Sequence, residues 1–251
     1  MSKVNELQTE ITTLKQKIAS QADFISVAVH DLRNPLTVAW LATDFLKKAE
    51  ISKAEKEQYF KMLEGGLSRL EKLIDKILAI PKLEQGKMEL NHRPLNLTEF
   101  FTNFHKTQLP IMAQYKIQLL LANEMEKQDH SILADKFELQ RVFENLLSNT
   151  LRFVAKDGTG KVILKLELSD CGKIRISVSD NGCGIPAEKK TVIFEKFTSH
   201  GKKLSTGLGL YISCKIIELH GGRIWYEDSA EGGAKFCIEL PRHAPENSKS
   251  N

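Results

Sequence analysis

The sequence predicts two long amphipathic helices folded into a hairpin, followed by an α/β sandwich in which helices cover one sheet. Three observations carry that prediction. In the first third of the chain, apolar residues recur at steps of three and four, the period of a helix with one buried stripe. Later the period falls to two, as in Val162, Leu164, Leu166 and Leu168, the mark of a strand with one buried face. Helical stretches are mixed with those strands, which are mainly joined as hairpins, so one sheet covered by helices is expected.

The first helix opens with Val4, Leu7, Ile11, Leu14 and Ile18, a coiled-coil seam. Its register breaks once at Gln21 and resumes through Ile25, Ala28 and Leu32. The second helix repeats the pattern with Phe60, Leu63, Leu67, Leu70, Ile74 and Ile77. The polar stretch Glu50 to Lys53 joins the two, with Ser52 as the N-cap of the second. A lone hairpin cannot bury its apolar stripe, so a dimeric four-helix bundle, a homodimer built through the hairpin, is the natural completion. Gly65-Gly66 interrupts the second helix at about 1 kcal/mol per glycine relative to alanine. Either a bending point or a place of close helix packing would account for it. Pro81 and Gly86 are expected to end the helical region.

From about Leu95 the texture changes. Asn96 to Pro110 reads as a helix capped by Thr98, and Tyr115 to Leu121 as a strand. Asp135 to Phe153 is a helix with Leu139, Val142, Phe143, Leu146 and Leu147 on one face. The Val162 strand and a strand bearing Ile174, Ile176 and Val178 follow. A helix from Leu208 to Leu219, strands near Arg223 to Glu227 and Lys235 to Leu240, and a polar, disordered tail complete the chain. The expected organisation is a signalling coiled coil over 1–22, a helical domain over 23–91, an α/β domain over 92–243 and a tail over 244–251.

Bulk properties narrow the class. The 251 residues are 41% hydrophobic and 27% charged, the composition of an ordinary globular protein. A net charge of +4, spread along the chain, gives no footing for nucleic acid. Cys171, Cys183, Cys214 and Cys237 lack metal-ligand spacing and read as buried, reduced thiols of a cytoplasmic protein. No apolar run is long enough for a membrane segment; a sensor or membrane attachment would lie outside this sequence.

Several patterns carry chemistry. Asp180-Asn181-Gly182-Cys183-Gly184-Ile185 follows a strand, where an aspartate can accept a hydrogen bond from an exocyclic amine while the glycines let a backbone pass close. Gly207-Leu208-Gly209-Leu210 opens a helix, where free amides and the helix dipole favour phosphate. Gly232-Gly233 lies between the last two strands as a hairpin turn. Asn145 and Asn149 share one helix face, and a carboxamide oxygen is a fit ligand for Mg2+. On the first helix, His30-Asp31-Leu32-Arg33-Asn34-Pro35-Leu36 places His30 away from the seam with Asn34 one turn later beside it. A neutral imidazole is a competent nucleophile near neutral pH, and Asp31 can accept the proton of one ring nitrogen and so fix the tautomer. Pro35 removes a helix hydrogen bond and is expected to kink the helix locally.

The order Asn145/Asn149, Asp180-x-Gly182-x-Gly184, Phe194-Glu195-Lys196-Phe197, Gly207-Leu208-Gly209-Leu210 and Gly232-Gly233 resembles the N, G1, F, G2 and G3 boxes of the GHKL (Bergerat-fold) ATPases. In particular it is similar to the catalytic domain of sensor histidine kinases of two-component systems. The His30 segment resembles their H box. The resemblance implies that Asp180 reads the adenine amine, that Asn149 holds Mg2+ with Asn145 beside it, and that Gly182, Gly184, Thr206, Gly207, Leu208 and Gly209 line ATP. Arg152-Phe153 stands where the family commonly has lysine and an aromatic, and arginine would serve a phosphate with different geometry. Residues 185–206 would form a mobile lid, from which Lys196, Lys202 or Lys203 could reach phosphate. His30 would accept phosphate with Asp31 as base, and Asn34 would place a water for dephosphorylating the partner, an aspartate on a response-regulator receiver domain. A GHKL ATPase acting as a conformational clamp, which usually carries a glutamate where Asn145 stands, and a non-catalytic dimeric scaffold are the alternatives.

Overall fold

The structure, a computed structural model, describes residues 2–48, 51–125, 131–169, 172–198 and 207–242. The chain divides into two compact units, Met1–Lys87 with Glu195–Leu208, and Met88–Phe194 with Gly209–Asn251.

The first unit is built on helices α1 (Ser2–Leu46) and α2 (Lys53–Glu84). The loop expected at Glu50 to Lys53 lies partly outside the described residues. Ser52 caps α2 as a reciprocal box: its Oγ accepts from the Glu55 N–H at 3.3 Å, and its own N–H donates to Glu55 Oε2 at 2.8 Å. α1 runs unbroken through Pro35, and α2 runs past Pro81 to Glu84. Pro81 therefore does not end the helix. The stop comes at Gly86, whose φ of +63° is a left-handed conformation that glycine adopts freely.

Small residues line the α1–α2 contact. Ala28, Ala39, Ala42, Gly66 and Ala79 are buried. A Cβ on Gly66 would sit 2.9 Å from the Pro35 carbonyl oxygen and 3.3 Å from Ala39 Cβ, whereas one on Gly65 would meet nothing within 4 Å. Of the two readings of the glycine pair, close packing is the one found, and only Gly66 requires it. The large apolar residues behave differently. Phe60, Leu67 and Ile74, spaced by seven, are 54%, 50% and 41% exposed, while Leu63, Leu70 and Ile77 are half-buried.

The second unit carries a five-stranded sheet ordered β2-β4-β5-β7-β6. Its strands are β2 (Ile117–Asn123), β4 (Gly160–Leu168), β5 (Ile174–Asp180), β6 (Arg223–Asp228) and β7 (Ala234–Leu240). β2 and β4 are parallel, and the remaining pairs are antiparallel. Helices α3 (Leu97–Gln114), α4 (Lys136–Phe153) and α6 (Gly209–Leu219) supply the covering layer. The α4 residues expected on one face, Leu139, Val142, Phe143, Leu146 and Leu147, are all buried, as are Val162, Leu164 and Leu166 of β4 and Ile174, Ile176 and Val178 of β5. Phe101 meets Phe143 edge-on with centroids 4.6 Å apart, a favourable aromatic geometry.

Two small strands escape the alternation rule. β1 (Arg93–Asn96) and β3 (Ser131–Ala134) form a separate antiparallel pair. Four residues each, one with Pro94, are too few to show a period. Their pairing also places the α3 cap: Asn96 Oδ1 accepts from the Glu99 N–H at 3.0 Å. Asn96, not Thr98, is therefore the N-cap, and α3 continues past Pro110 to Gln114.

Asp135 caps α4, with Oδ1 accepting from the N–H groups of Phe137 (3.0 Å) and Glu138 (3.2 Å) and Oδ2 from that of Asn91 (2.9 Å). Burial raises its carboxyl's pKa, but these three bonds outweigh it and hold the group below its ordinary value. The Asp135 N–H donates to Nε2 of buried His220 at 3.0 Å, so that ring's proton sits on Nδ1, 2.8 Å from the Ile216 carbonyl it donates to. This bond ties the start of α4 to the residue following α6. Burial depresses the His220 pKa, opposed by the Ile216 bond, with neighbouring His92 depressing it further and Asp135 opposing.

Two predictions follow from these contacts. Gly65→Ala raises the unfolding midpoint, by the ~1 kcal/mol that alanine gains over glycine in a helix, and Gly66→Ala lowers it; thermal unfolding of both variants gives opposite signs. Because the folded state resists protonating His220, its unfolded state takes up the proton first, and stability falls as pH drops below about 6.5. A thermal-unfolding series from about pH 7.5 to 5.5 shows that slope in the native chain and flattens in His220→Gln. Asp135, with its depressed value, loses its contribution only at more acid pH.

Candidate functional site

At the end of β5 the chain turns through Asp180-Asn181-Gly182 with almost no room. Asp180 is buried, and its Oδ1 accepts from the N–H groups of Gly182 (2.9 Å) and Ala234 (3.1 Å). Burial raises the carboxyl's pKa above the ordinary range, while the two bonds pull it back in part. Both bonds fall on one oxygen, which leaves the other as an acceptor held in a fixed orientation. Glycine is required on both sides. A Cβ on Gly182 would come within 2.9 Å of the Phe153 carbonyl oxygen, and one on Gly233 would overlap the Asp180 carboxylate, its carbonyl and the Gly182 nitrogen. Gly184, at φ +69°, completes the turn against the Gly233 carbonyl.

α4 brings the amides. The Asn145 Nδ2 donates to the Gly209 carbonyl (3.0 Å) and to Ser213 Oγ (3.3 Å), fastening the first turn of α6 to α4. Asn149, one turn on, is half-buried, and its side chain makes no hydrogen bond to a described residue. Arg152 is exposed in the last turn, and Phe153 is half-buried with its carbonyl against Gly182. Thus Asn145, Asn149, Phe153, Asp180, Gly182, Gly184 and Gly209 are joined in one unit through α4, the end of β5 and the start of α6.

The other expected residues belong to the helical unit. Lys196 pairs with Glu84 at the end of α2. Gly207, at φ +63°, leaves no space for a Cβ beside the Phe197-Thr198 main chain, and Leu208 is buried. Thr206 lies outside the described residues, as do His200, Gly201, Lys202, Lys203 and Ser205. On α1 the His30 side chain is 47% exposed. Its Nδ1 lies 3.4 Å from Asp31 Oδ1 and 3.3 Å from Asn34 Nδ2. Both neighbours address the same ring nitrogen, so Nε2 is the one they leave for chemistry.

Residues 20–86 match the His Kinase A (phospho-acceptor) domain, and residues 134–244 match the histidine kinase-, DNA gyrase B- and HSP90-like ATPase family. The catalytic domain of histidine kinase ThkA is 30% identical, with a TM-score of 0.53 over 62% of this chain and 97% of that one. The chain belongs to the histidine kinases. Hybrid signal transduction histidine kinase D of Dictyostelium discoideum is 33% identical over 95% of this chain and 16% of its own length. ThkA in complex with response regulator protein TrrA is 26% identical, with a TM-score of 0.61 over 91% of this chain and 64% of that one. The chain spans a minor part of its curated relatives, 16% of that hybrid kinase and 32% of circadian input-output histidine kinase CikA of Synechococcus elongatus.

Sequence reasoning missed two features of this histidine kinase's site. Gly233, read as a turn glycine, is excluded from carrying a side chain by Asp180 itself; the doublet was the available signal, because a turn needs only the positive φ of Gly232 (+95°). Ser213, which receives the Asn145 amide, stands one turn after Gly209. The cysteines also differ from expectation. Cys237 is buried and burial pushes its thiol up to about 12, but Cys214 is half-buried, pushed up to about 11 by burial and by Glu218, and Cys183 is exposed. Cys171 lies outside the described residues.

Gly233→Ala forces Asp180 to move and destabilises the protein by about 1–3 kcal/mol, the cost of overpacking a filled site, measured by denaturant unfolding. The neighbouring Cys183→Ala, on an exposed side chain, leaves the midpoint within about 0.5 kcal/mol of native.

Proposed function

We propose that the chain is an ATP-dependent protein-histidine kinase that phosphorylates itself on His30 and passes the phosphoryl group to an aspartate of a response-regulator receiver domain. The observation that carries this reading is an exposed histidine, flanked at Nδ1 by Asp31 and Asn34, in the same chain as a buried carboxylate held for an incoming donor. The complex of ThkA with TrrA supports a receiver partner.

In this reading Asp180 accepts the adenine amine, and Gly182, Gly184, Gly207, Leu208, Gly209 and Thr206 line the nucleotide. Arg152 and Lys196 serve its phosphates, and Phe153 borders the base side. Mg2+ fits the donor set through the Asn149 carboxamide oxygen, with Asn145 beside it, and when bound it supplies neutralisation of phosphate charge. Among the described residues there is no group of three His, Cys, Asp or Glu that would compete for a metal. His30 Nε2 attacks the γ-phosphorus; the N–P bond forms as the bond to the bridging oxygen breaks, ADP leaves, and Asp31 takes the Nδ1 proton. A receiver aspartate oxygen then attacks phosphorus, the N–P bond breaks, and the proton held by Asp31 returns to Nδ1, which restores neutral His30. Asn34, hydrogen-bonded to His30, is suited to holding a water for dephosphorylating the receiver.

The exposed row Phe60, Leu67 and Ile74 supports a homodimer through the hairpin, since a soluble helix pair does not leave such a stripe in water. On this reading residues 1–22 are a signalling coil, 23–91 the dimerisation and phosphotransfer domain, 92–243 the ATP-binding domain and 244–251 a tail. Chemistry that draws on ATP supports a cytoplasmic location. Among the described residues no helix is long and apolar enough to cross a membrane. A conformational-clamp ATPase is disfavoured at Asn145: its two bonds to Gly209 and Ser213 use amide hydrogens that a glutamate does not have.

Incubation with γ-labelled ATP and Mg2+ tests the reading. Acid-labile, base-stable label accumulates on the native chain, chelation of Mg2+ prevents it, and His30→Gln removes it while ATP binding persists. Label that survives His30→Gln overturns the assignment.

A further inference from the structure

β4 and β5 stay paired as far as Val162 and Asp180. Beyond that point the chain leaves the sheet through Gly182 and runs on to the short helix α5 (Ala187–Lys190). Were the antiparallel ladder to continue, the Lys161 N–H and carbonyl would be met by the main chain of the residue after Asp180, and the Thr159 carbonyl by an N–H two residues later. Main chain makes only one of these bonds, from the Asn181 N–H to the Lys161 carbonyl at 3.3 Å. The Asn181 side chain makes the other two. Its Oδ1 accepts from the Lys161 N–H at 2.8 Å, and its Nδ2 donates to the Thr159 carbonyl at 2.8 Å. A carboxamide offers the same donor and acceptor as a peptide group, so it carries the ladder one step further after the backbone has gone. The two segments it joins both abut the C-terminal end of α4. A Cβ on Gly160 would overlap the Ala155 carbonyl and the Val154 side chain, and one on Gly182 would crowd the Phe153 carbonyl.

We infer that Asn181 is a positioning residue for the nucleobase: its carboxamide ties the departing turn to Thr159 and Lys161 and so holds Asp180 in the orientation that reads adenine. The inference rests on the function proposed above. Asp180 Oδ1 takes one bond from Ala234 of β7 and one from Gly182. The first comes from a strand inside the sheet. The second comes from the peptide that joins Asn181 to Gly182, so its direction depends on how Asn181 is held. Of the three bonds that hold Asn181, the main-chain one is the longest, and the two shorter ones belong to the carboxamide. With the carboxamide gone, the Lys161 N–H and the Thr159 carbonyl turn to water and the Gly182 N–H loses its fixed direction. The Asp180 carboxylate is then oriented by the Ala234 bond alone. Its second oxygen meets an exocyclic amine over a spread of angles, which weakens the hydrogen bond. Both polar atoms of the Asn181 side chain are engaged with main chain, so this residue acts through Asp180 and not by touching the base. Its loss changes base reading and leaves the phosphoryl step alone.

The test compares native chain, Asn181→Ala, Asn181→Asp and Asp157→Ala in autophosphorylation assays with ATP and with inosine triphosphate, which lacks the exocyclic amine. Asn181→Asp is close to isosteric, keeps an acceptor for the Lys161 N–H and loses the donor to Thr159. Asp157→Ala loosens the same loop by removing the bonds from the Thr159 N–H (2.9 Å) and hydroxyl (2.6 Å), and it leaves Asn181 in place. The expected result is a KM for ATP raised about fivefold in Asn181→Ala, the weight of one hydrogen bond, and at least about twofold in Asn181→Asp, with kcat unchanged in both. KM for inosine triphosphate moves less than about twofold, since that base has no amine for Asp180 to receive. Asp157→Ala lowers the unfolding midpoint and keeps the native KM for both nucleotides. A KM for ATP within about twofold of native in Asn181→Ala overturns the inference and leaves the kinase assignment standing. Should that variant not fold, a native KM in Asn181→Asp does the same. An equal rise for both nucleotides, a fall in kcat, or a matching rise in Asp157→Ala also overturns it, because the loss is then one of general stability. A native chain that binds no ATP overturns the proposed function and this inference with it.

Discussion

The second unit is organised around a carboxylate that has no space to move. Asp180 sits where the end of β5, the turn after it and the start of β7 converge, and the two main-chain donors that reach its Oδ1 come from different elements. Main chain can come that near only if side chains are absent, which is why Gly182 and Gly233 face each other across it. Gly182 also abuts the Phe153 carbonyl, so the same crowding sets how the C-terminal end of α4 lies on the sheet. α4 in turn carries Asn145, which fixes the first turn of α6. One constraint on a single side chain is thereby passed through two helices. Burial without a counter-charge keeps that carboxyl's pKa above the ordinary range, and a carboxylate still ionised there gains from any donor that reaches its second oxygen.

The helical unit obeys an opposite economy of size. Contact between α1 and α2 draws on Ala28, Ala39, Ala42, Gly66 and Ala79 and on Phe45 stacked on Tyr59 with centroids 4.9 Å apart, while Phe60, Leu67 and Ile74 stay exposed. Backbones come close at Gly66 and Pro35, five residues after His30. Proline has no N–H to give the helix, so the turn before it is the part of α1 least bound by its own hydrogen bonds. Packing a glycine from α2 against that place restores by contact part of what the helix loses in bonding. His30 is thus carried just before the place where α1 leans on its neighbour helix, and its side chain is 47% exposed.

What could be read from the sequence divides along the range of the forces involved. Ser52 as a cap and the buried face of α4 are local patterns, and both are found as read, whereas the seam residues Leu7, Ile11, Leu14, Ile18 and Ile25 of α1 are exposed. Asn96 and Thr98 are both good caps, and the choice between them is made by β1 pairing with β3, thirty-odd residues distant in sequence. Pro81 and Pro110 read as stops, yet each lies inside a helix whose packing or last turn outweighs the local cost. At the site, the glycines of the Asp180 turn and the amides of α4 were legible because they cluster at short spacing. Gly233 and Ser213 were not, because each acts only through a partner brought to it by the sheet register or by the packing of α4 on α6.

His30 shows how two neighbours can compete for one atom. Asp31 can only accept, so a bond to it requires the ring proton on Nδ1 and leaves the lone pair on Nε2. The Asn34 amide donates, so a bond from it requires a bare Nδ1 and puts the proton on Nε2. A neutral imidazole cannot satisfy both. The Asp31 arrangement is the nucleophilic one, with its lone pair outward, and the Asn34 arrangement is not. At 3.4 and 3.3 Å neither contact is a short, strong bond, so neither locks the ring. The tautomer is then open to whatever approaches Nε2. On the proposed function, a phosphorus centre would select the lone pair, with the Nδ1 proton toward Asp31, and a water seeking a donor would select the proton and free Nδ1 for Asn34, with no change in the helix that carries them.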